Sequence, residues 1–231
     1  MDTELKKALI MFAKRPVPGR VKTRLSPPLS PGEAAELYRC MLLDVLAKGW
    51  ALAGVDPWLF HEPDAEAAPF FAEVAPGMPC APQEGTDLGE RMANAFRRLF
   101  AMGYGGIAII GTDLPDLPMA YVEEAFRRLD AGEADAVLGP ADDGGYYLVA
   151  MGELHAEFFR DVPWSSEEVL ATTLARAEEA GIAVSLLPVW HDVDTADDLM
   201  RPELLDAANG APLTREFIGT WLKGGGEPRR G

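Results

Sequence analysis

Short apolar runs alternate with longer amphipathic segments along the chain, and this alternation predicts the fold class. The apolar runs have the composition of strands that are buried on both faces of a sheet. The predicted strands are 8–13, 57–61, 106–111, 134–140, 146–151 and 183–188. The predicted helices are 31–50, 64–74, about 90–103, 119–130, 167–181 and 196–207. Strands that alternate with helices predict an α/β protein, with a mainly parallel mixed sheet covered by helices on both faces.

Local signals at the ends of these segments refine the domain organisation. Ser30, Pro31 and Glu33 form the pattern of a helix N-cap, a proline at the first helical position and a capping box. No linker rich in proline, glycine or serine divides the chain. We therefore expect one domain over 1–210, followed at 211–231 by a C-terminal helix and a disordered tail that ends GGGEPRRG.

Composition and charge exclude several classes of partner. Acidic residues outnumber basic ones 37 to 21, which gives a net charge of −16 and disfavours nucleic acid and anionic membranes. No apolar run is long enough to predict a membrane span, and the N-terminus lacks a secretory pattern. The two cysteines, Cys40 and Cys80, have no metal-ligand spacing and suit a reducing compartment. We expect a cytoplasmic protein.

A basic segment at 14–24, KRPVPGRVKTR, departs from this acidic background. It holds five basic side chains and no acid, and Gly19 with two prolines shapes a turn. Lysine ammonium groups, arginine forks and backbone amides opened by glycine are the donors that phosphate oxygens need. The segment is neither a Walker loop nor a GxGxxG loop. The alternative is a solvated cationic loop that balances acidic neighbours.

Aspartates near two predicted element boundaries are candidate metal ligands. Asp113 ends the apolar strand 106–111, where a carboxylate can hold Mg²⁺ or Mn²⁺ that bridges diphosphate oxygens. Asp116 either assists it or caps the next helix. Asp192 and Asp194 share one face of an extended segment. The alternative is a helix cap, both for Asp113 and for Asp194.

Two glycine-containing turns admit both a structural and a binding interpretation. Asp142, Asp143, Gly144 and Gly145 form a good hairpin turn, and the tyrosines that follow it could also seat a sugar or base. In the segment 83–90, Thr86 or Asp87 can cap a helix, while Gln83 and the amides near Gly85 could contact a nucleobase. The three histidines are scattered, so neither a zinc site nor a Ser-His-Asp triad is predicted.

The order of these motifs is similar to that of a known family. The motifs are KRPVPGRVKTRL, QEGTDLGERM, IIGTDLPDL, LGPADDGGYYLVAM, PWSSEEVLATT and DVDTADDL. From about residue 8 to 200 the chain resembles the bacterial glycosyltransferase A-like proteins of the nucleotide-diphospho-sugar transferase superfamily, also described as radical-SAM/selenodomain-associated transferases. It departs from the superfamily's nucleotidyltransferases at Pro16 and Pro18, which replace paired glycines, and at Asp113 it lacks a strict Asp-x-Asp, because the second acid, Asp116, comes one place late.

The resemblance implies a GT-A fold that binds a nucleotide and Mg²⁺ or Mn²⁺ at the carboxyl edge of the sheet. The implied nucleotide and phosphate contacts are Lys14, Arg15, Gly19, Lys22, Arg24, Gln83, Gly85 and Leu88. The implied acceptor or sugar region contains Asp142, Gly144, Gly145 and Tyr146. Asp113 matches the metal-binding aspartate, and Asp192 or Asp194 matches a second metal ligand.

Three functions remain open at this point. In the leading hypothesis, a glycosyltransferase uses a nucleotide sugar, Asp113 holds the metal, Lys22 helps to neutralise the diphosphate, and Asp142 or Asp143 activates the acceptor. The second hypothesis is nucleotidyl transfer from an NTP to a phosphorylated small molecule, with release of pyrophosphate. The third is a non-catalytic nucleotide-binding module. The sequence leaves the base, the sugar, the acceptor and the oligomeric state open.

Overall fold

The computed structural model describes residues 5–225, which contain one seven-stranded mixed sheet. Its strands are β1 (Lys7–Ala13), β2 (Val55–His61), β3 (Cys80–Pro82), β4 (Gly106–Gly111), β5 (Ala136–Pro140), β6 (Tyr146–Met151) and β7 (Val184–Leu186). Their order across the sheet is β3-β2-β1-β4-β6-β5-β7. All neighbouring pairs are parallel except those of β6, which runs antiparallel to β4 and β5. The predicted α/β class and mainly parallel mixed sheet are confirmed.

Helices cover both faces of this sheet. They are α1 (Pro31–Ala51), α2 (Ala67–Val74), α3 (Leu88–Ala101), α4 (Met119–Asp130), α5 (Val169–Ala180), α6 (Pro202–Leu205) and α7 (Pro212–Lys223). Successive residues of β1 enter opposite cores because side chains alternate across a strand. Leu9 and Met11 pack on the side of α1, α2 and α4, whereas Ala8 and Ile10 pack on the side of α3 and α5. The capping box predicted at Ser30 is present.

Two sequence predictions of local structure were wrong. The single helix predicted over 196–207 is instead a 3-10 turn at Asp197–Met200, the one-turn helix α6 and another 3-10 turn at Ala207–Asn209. Pro202 breaks the segment, because the residue before a proline is driven out of the helical region, and Arg201 is extended. Strand β3 was not predicted, since it has three residues and a proline, as an edge strand tolerates.

The C-terminal helix predicted after residue 210 is present as α7, which packs against α1 in a third apolar cluster. Asp44 of α1 caps it from outside: its carboxylate accepts hydrogen bonds from the backbone N–H groups of Leu213 and Thr214 at 3.2 and 2.8 Å. The tail predicted to be disordered falls mostly on 226–231, outside the described residues. Within residues 5–225, no helix combines the length and the apolar character that a membrane crossing requires.

Parallel pairing brings several chemically distinctive segments to one edge of the sheet. β1, β2 and β4 run parallel, so the segments that follow Ala13, His61 and Gly111 leave the sheet at the same edge. The segment after β7 joins them, because the backbone N–H of Val193 donates to the carbonyl of Asp113 at 3.0 Å. This carboxyl edge is where open α/β sheets bind ligands.

Candidate functional site

Two cavities lie at the carboxyl edge of the sheet and share a wall. The first has a volume of about 400 Å³ and mixes apolar with polar lining residues. The second, of about 260 Å³, is lined by four cationic side chains and two aspartates among its nine residues. Lys14, Tyr38 and Asp113 line both cavities. A ligand with an apolar, hydrogen-bonding part and an anionic part could therefore lie across them.

The first cavity is lined by Gln83 and Leu88, for which a base contact was predicted. It is also lined by Glu62 and Arg91, which the sequence analysis did not single out. The amide nitrogen of Gln83 donates to the carbonyl of Phe60 at 3.0 Å, which fixes the orientation of the amide. The carboxylate of Glu62 lies 3.7 Å from the ammonium of Lys14 and 3.7 Å from the guanidinium of Arg91. The first cavity thus offers both hydrogen-bond donors and acceptors.

The backbone at Gly85 requires a residue without a side chain. Its φ of +142° is rarely adopted by L residues, and a Cβ there would lie 2.7 Å from the backbone nitrogen of Arg91. Its carbonyl accepts a long hydrogen bond from Arg91 Nε at 3.4 Å. Gly85 is not among the residues that line the first cavity. The structure therefore gives it a place against the start of α3, and its predicted base contact stays a prediction.

The second cavity collects most of the basic loop. Four cations line it, Lys14, Arg20, Lys22 and Arg24. Arg15 lies elsewhere: its Nε donates to Asp64 at 2.8 Å, and it does not line the second cavity. Gly19, with φ +74°, belongs to the turn closed by the Arg20 N–H and the Val17 carbonyl. The loop thus concentrates positive charge beside Asp113, with Arg15 committed to a neighbouring carboxylate.

Lys22 lies among the carboxylates of Asp113, Asp192 and Asp194, which together form a carboxylate cluster. Its ammonium pairs with Asp113 and with Asp194, the latter at 2.8 Å, and its side chain is 5% exposed. Burial by itself lowers the pKa of this lysine, but the two carboxylates outweigh burial and raise its pKa above the ordinary value. Lys22 is therefore charged, and it is the cation nearest to Asp113 and Asp194 among the described residues.

Asp192 lies in the same cluster without a cation of its own among the ion pairs of residues 5–225. Burial, followed by the charge of Asp113, raises the pKa of Asp192 to about 7. Carboxylate oxygens are suitable ligands for Mg²⁺ or Mn²⁺. Residues 5–225, however, contain no group of three or more Asp, Glu, His or Cys side chains that could hold a metal ion. With Lys22 between Asp113 and Asp194, the arrangement does not fit a resident divalent ion, and the metal roles stay predictions.

A third cavity, of about 190 Å³, lies on the other side of Asp194. The residues Asp142, Asp143, His191 and Asp192 also line it. Asp142 is paired with the Nδ1 atom of His191 at 3.0 Å, a contact that the sequence did not reveal. Asp143 accepts a hydrogen bond from the Gly145 N–H at 2.9 Å within the turn. The acceptor-activating roles of both aspartates remain predictions, and their hairpin is present between β5 and β6.

The other residues of the predicted acceptor region divide between the cavity and the core. The ring of Tyr146 lines the first cavity, and burial raises the pKa of its hydroxyl. Gly144 packs against the segment before α5: a Cβ there would lie 2.2 Å from the Glu167 carbonyl oxygen. A Cβ on Gly145 would meet only the Asp143 side chain, at 3.1 Å. Neither glycine lines any of the three cavities.

Asp116 lies beneath this site. Its side chain is fully buried, and burial raises its pKa, an effect that the nearby Arg201 and Lys48 oppose. It does not cap α4, whose N-cap is Pro118. The ammonium of Lys48 donates to the carbonyls of Pro115 and Leu117 at 2.6 and 3.1 Å. The cap role that the sequence suggested for Asp116 is therefore wrong, and its role in assisting Asp113 stays a prediction.

Tyr38 connects the two halves of the site and was missed in the sequence. Its hydroxyl accepts a hydrogen bond from the backbone N–H of Lys14 at 2.9 Å and shares another with Thr112 Oγ1 at 2.8 Å. It therefore ties the start of the basic loop to the residue before Asp113. The position lies on the buried face of α1, where the sequence shows an aromatic residue of the core and no sign of a site.

Tyr38→Phe is expected to destabilise the protein by about 1–3 kcal/mol, because the backbone N–H of Lys14 and the buried hydroxyl of Thr112 lose their shared partner. Urea unfolding measures the change. Tyr104→Phe is the matched control, because the Tyr104 hydroxyl also connects two residues, Trp58 and Asp56. Tyr104 lines neither of the cavities that Tyr38 lines. Equal stability of Tyr38→Phe and the wild type would show that the hydroxyl bridge is not a structural support.

Comparisons with known proteins agree with this architecture. The chain is 33% identical to a protein from Desulfovibrio desulfuricans G20 described as a nucleotide-diphospho-sugar transferase, with a TM-score of 0.83 over 94% of this chain and 98% of that one. A cytidylyltransferase from Leptospira borgpetersenii serovar Hardjo-bovis (strain JB197) shares the fold at 12% identity, with a TM-score of 0.58 and 98% of each chain covered. These similarities confirm the fold that the sequence resemblance implied.

A curated relative and a family model extend the comparison. The chain is 30% identical over 183 residues to a 2-phospho-L-lactate guanylyltransferase from Methanothermobacter thermautotrophicus (strain ATCC 29096 / DSM 1053 / JCM 10044 / NBRC 100330 / Delta H), covering 77% of this chain and 76% of the relative. Residues 45–166, just over half of the 231, match the model of a family described as uncharacterized proteins conserved in bacteria (DUF2064). On these matches, the chain belongs to the DUF2064 family.

Proposed function

We propose that this chain is a nucleotidyltransferase, which transfers a nucleoside monophosphate from a nucleoside triphosphate to a phosphorylated small molecule. The observation that carries the proposal is the shared wall between the two main cavities. A nucleoside in the cavity of about 400 Å³ would direct its phosphates past Lys14, Tyr38 and Asp113 into the cationic cavity. The 30% identical guanylyltransferase supports the same reaction.

The charge of the second cavity favours a triphosphate over the diphosphate of a nucleotide sugar. Four cationic side chains line it, against the carboxylates of Asp113 and Asp194. A triphosphate carries more negative charge than a sugar-linked diphosphate, so it is better matched to a focused group of cations. This comparison reverses the order of the two enzyme hypotheses drawn from the sequence.

The chemistry asks the chain chiefly for positioning and charge neutralisation. A phosphate oxygen of the acceptor forms a new bond to the α-phosphorus, the bond from that phosphorus to the bridging oxygen breaks, and pyrophosphate leaves with the electron pair. Negative charge grows on the leaving pyrophosphate. The ammonium of Lys22 and the guanidinium of Arg24 lie in the cationic cavity, where they would stabilise that charge. No protein nucleophile is required.

We propose guanine as the base. Guanine presents N–H donors beside a carbonyl acceptor, and the first cavity offers the Glu62 carboxylate beside the Arg91 guanidinium. The amide oxygen of Gln83 is a further acceptor, because the amide nitrogen is committed to Phe60. The relative named above is a guanylyltransferase, which supports this choice.

The proposal is tested by incubating the protein with each of the four NTPs, labelled at the α-phosphate, and a panel of phosphorylated hydroxy acids that includes 2-phospho-L-lactate. We expect pyrophosphate release and transfer of the label to an acceptor, with GTP preferred by about tenfold or more. Magnesium and manganese are supplied in parallel reactions. Label transfer with CTP, UTP or ATP at the same rate as with GTP would refute the base assignment alone.

Glycosyl transfer remains the second candidate, supported by the 33% identical protein described as a nucleotide-diphospho-sugar transferase. The same cavities could hold a nucleotide sugar, and the pair of Asp142 and His191 could then act as a base toward an acceptor hydroxyl. A panel of nucleotide sugars separates the two reactions. Release of a nucleoside diphosphate, with no pyrophosphate from any NTP, would favour glycosyl transfer.

A further inference from the structure

Lys22 has an unusual backbone conformation and an unusually buried side chain for a lysine in a loop. Its backbone has φ +48° and ψ +40°, a left-handed conformation that lysine rarely adopts. Such positions persist only where surrounding contacts hold them, and they cluster at functional sites. Here the left-handed turn directs a long cationic side chain inward, where it is 5% exposed. A loop lysine would ordinarily extend into water.

The carboxylates around this ammonium would otherwise repel one another. Asp113 and Asp194 each pair with Lys22, and Asp192 feels the charge of both aspartates. Arg24 does not replace Lys22, because its guanidinium is 3.7 Å from Asp194 and its side chain is 73% exposed. The cluster therefore has one buried cation among the described residues, and that cation belongs to the chain itself.

We propose that the Lys22 ammonium is the resident cation of the Asp113–Asp192–Asp194 cluster, so that the free protein does not bind a divalent metal ion there. A Mg²⁺ or Mn²⁺ ion bound by Asp113 and Asp194 would lie about 2.0–2.2 Å from their oxygens. The Lys22 nitrogen already lies 2.8 Å from the Asp194 oxygen and forms a second ion pair with Asp113. Space and like charge both prevent the two cations from sharing this position.

A lysine that occupies the carboxylate cluster constrains the order in which a metal ion and the nucleotide bind. Any divalent ion that serves the reaction would have to arrive complexed with the phosphates of the nucleotide, which can also attract the ammonium of Lys22. Only this consequence rests on the proposed function. The occupancy of the carboxylate cluster in the free protein is a property of the fold and can be measured without nucleotide or turnover.

The test is a titration of the nucleotide-free protein with Mn²⁺. Electron paramagnetic resonance measures the concentration of the unbound ion, and this gives the affinity. Lys22→Met is expected to bind one Mn²⁺ at least about tenfold more tightly than the wild type, because the buried competing charge is gone. Arg24→Met is the matched control: it removes one positive charge beside Asp194 but leaves Lys22 in place, so we expect the wild-type affinity for Mn²⁺. The double variant Lys22→Met/Asp113→Asn should lose the gain.

Three results would overturn the inference. One is saturable, one-to-one Mn²⁺ binding by the free wild-type protein that Asp113→Asn abolishes. Another is a folded Lys22→Met protein with unchanged Mn²⁺ affinity, and the third is an equal gain in Arg24→Met. If Lys22→Met does not fold, Lys22→Gln, which can still donate to a carboxylate, takes its place, and the wild-type measurement decides independently. Failure of nucleotidyl transfer leaves these results unaffected, so the two proposals can fail separately.

Discussion

Asp113→Asn is expected to lower kcat/KM for nucleotidyl transfer about 100-fold or more while the protein stays folded. Asp113 follows β4 at the carboxyl edge, lines both main cavities and pairs with Lys22. Asparagine keeps the size of the side chain but removes the charge that holds the lysine in position. The cationic cavity would then present Lys22 in a different place to the triphosphate, and a small displacement of a group that stabilises charge is costly in rate.

The measurement is pyrophosphate release from GTP in the presence of the acceptor identified by the panel, together with thermal unfolding of each variant. Asp130→Asn is the control, because Asp130 ends α4 and pairs with Lys7 at the start of β1, at the opposite edge of the sheet. It should retain the wild-type rate. An Asp113→Asn enzyme that also retains the wild-type rate would remove Asp113 from both the nucleotidyl and the glycosyl mechanism.

The fold was largely predictable from the sequence because its signals are local. The apolar runs of β1, β4, β5 and β6 are strands, and Ser30 with Glu33 starts α1 as the capping pattern predicted. The failures lie where local and tertiary preferences compete. Pro202 interrupts the helix predicted over 196–207, and β3 is only three residues long, so no periodicity could reveal it.

The candidate site was only partly predictable, because contacts between segments that are distant in the sequence leave no local sequence pattern. The basic loop and Asp113 were found from strand ends and charge. That Lys22 would bind Asp194, 172 residues away, depends on how the segment after β7 returns to the Asp113 loop. Glu62 follows β2 directly, so the rule that selected Asp113 could have selected it too. Tyr38 gave no such signal, since a buried tyrosine on a helix usually belongs to the core.

The predicted acceptor turn shows how a residue can be placed at a site for a structural reason. Gly144 has φ +85°, and its carbonyl accepts a hydrogen bond from the Leu170 N–H at 2.9 Å. A Cβ there would lie 2.2 Å from the Glu167 carbonyl oxygen and 2.6 Å from the Glu167 Cα. These neighbours are backbone atoms, which cannot turn aside as a flexible side chain can. Glycine at this position therefore allows the hairpin between β5 and β6 to dock on the start of α5.

Gly144→Ala is accordingly expected to destabilise the protein by about 2–4 kcal/mol, from the left-handed strain together with the forced separation of the turn from Glu167. Urea unfolding at a constant m-value measures it. Gly132→Ala isolates the strain, because Gly132 has φ +63° and open space around its Cβ, and it should cost only about 1–2 kcal/mol. Gly145→Ala, whose Cβ would meet only the Asp143 side chain, should cost less than Gly144→Ala. A Gly144→Ala protein no less stable than Gly132→Ala would mean that the turn does not pack against Glu167.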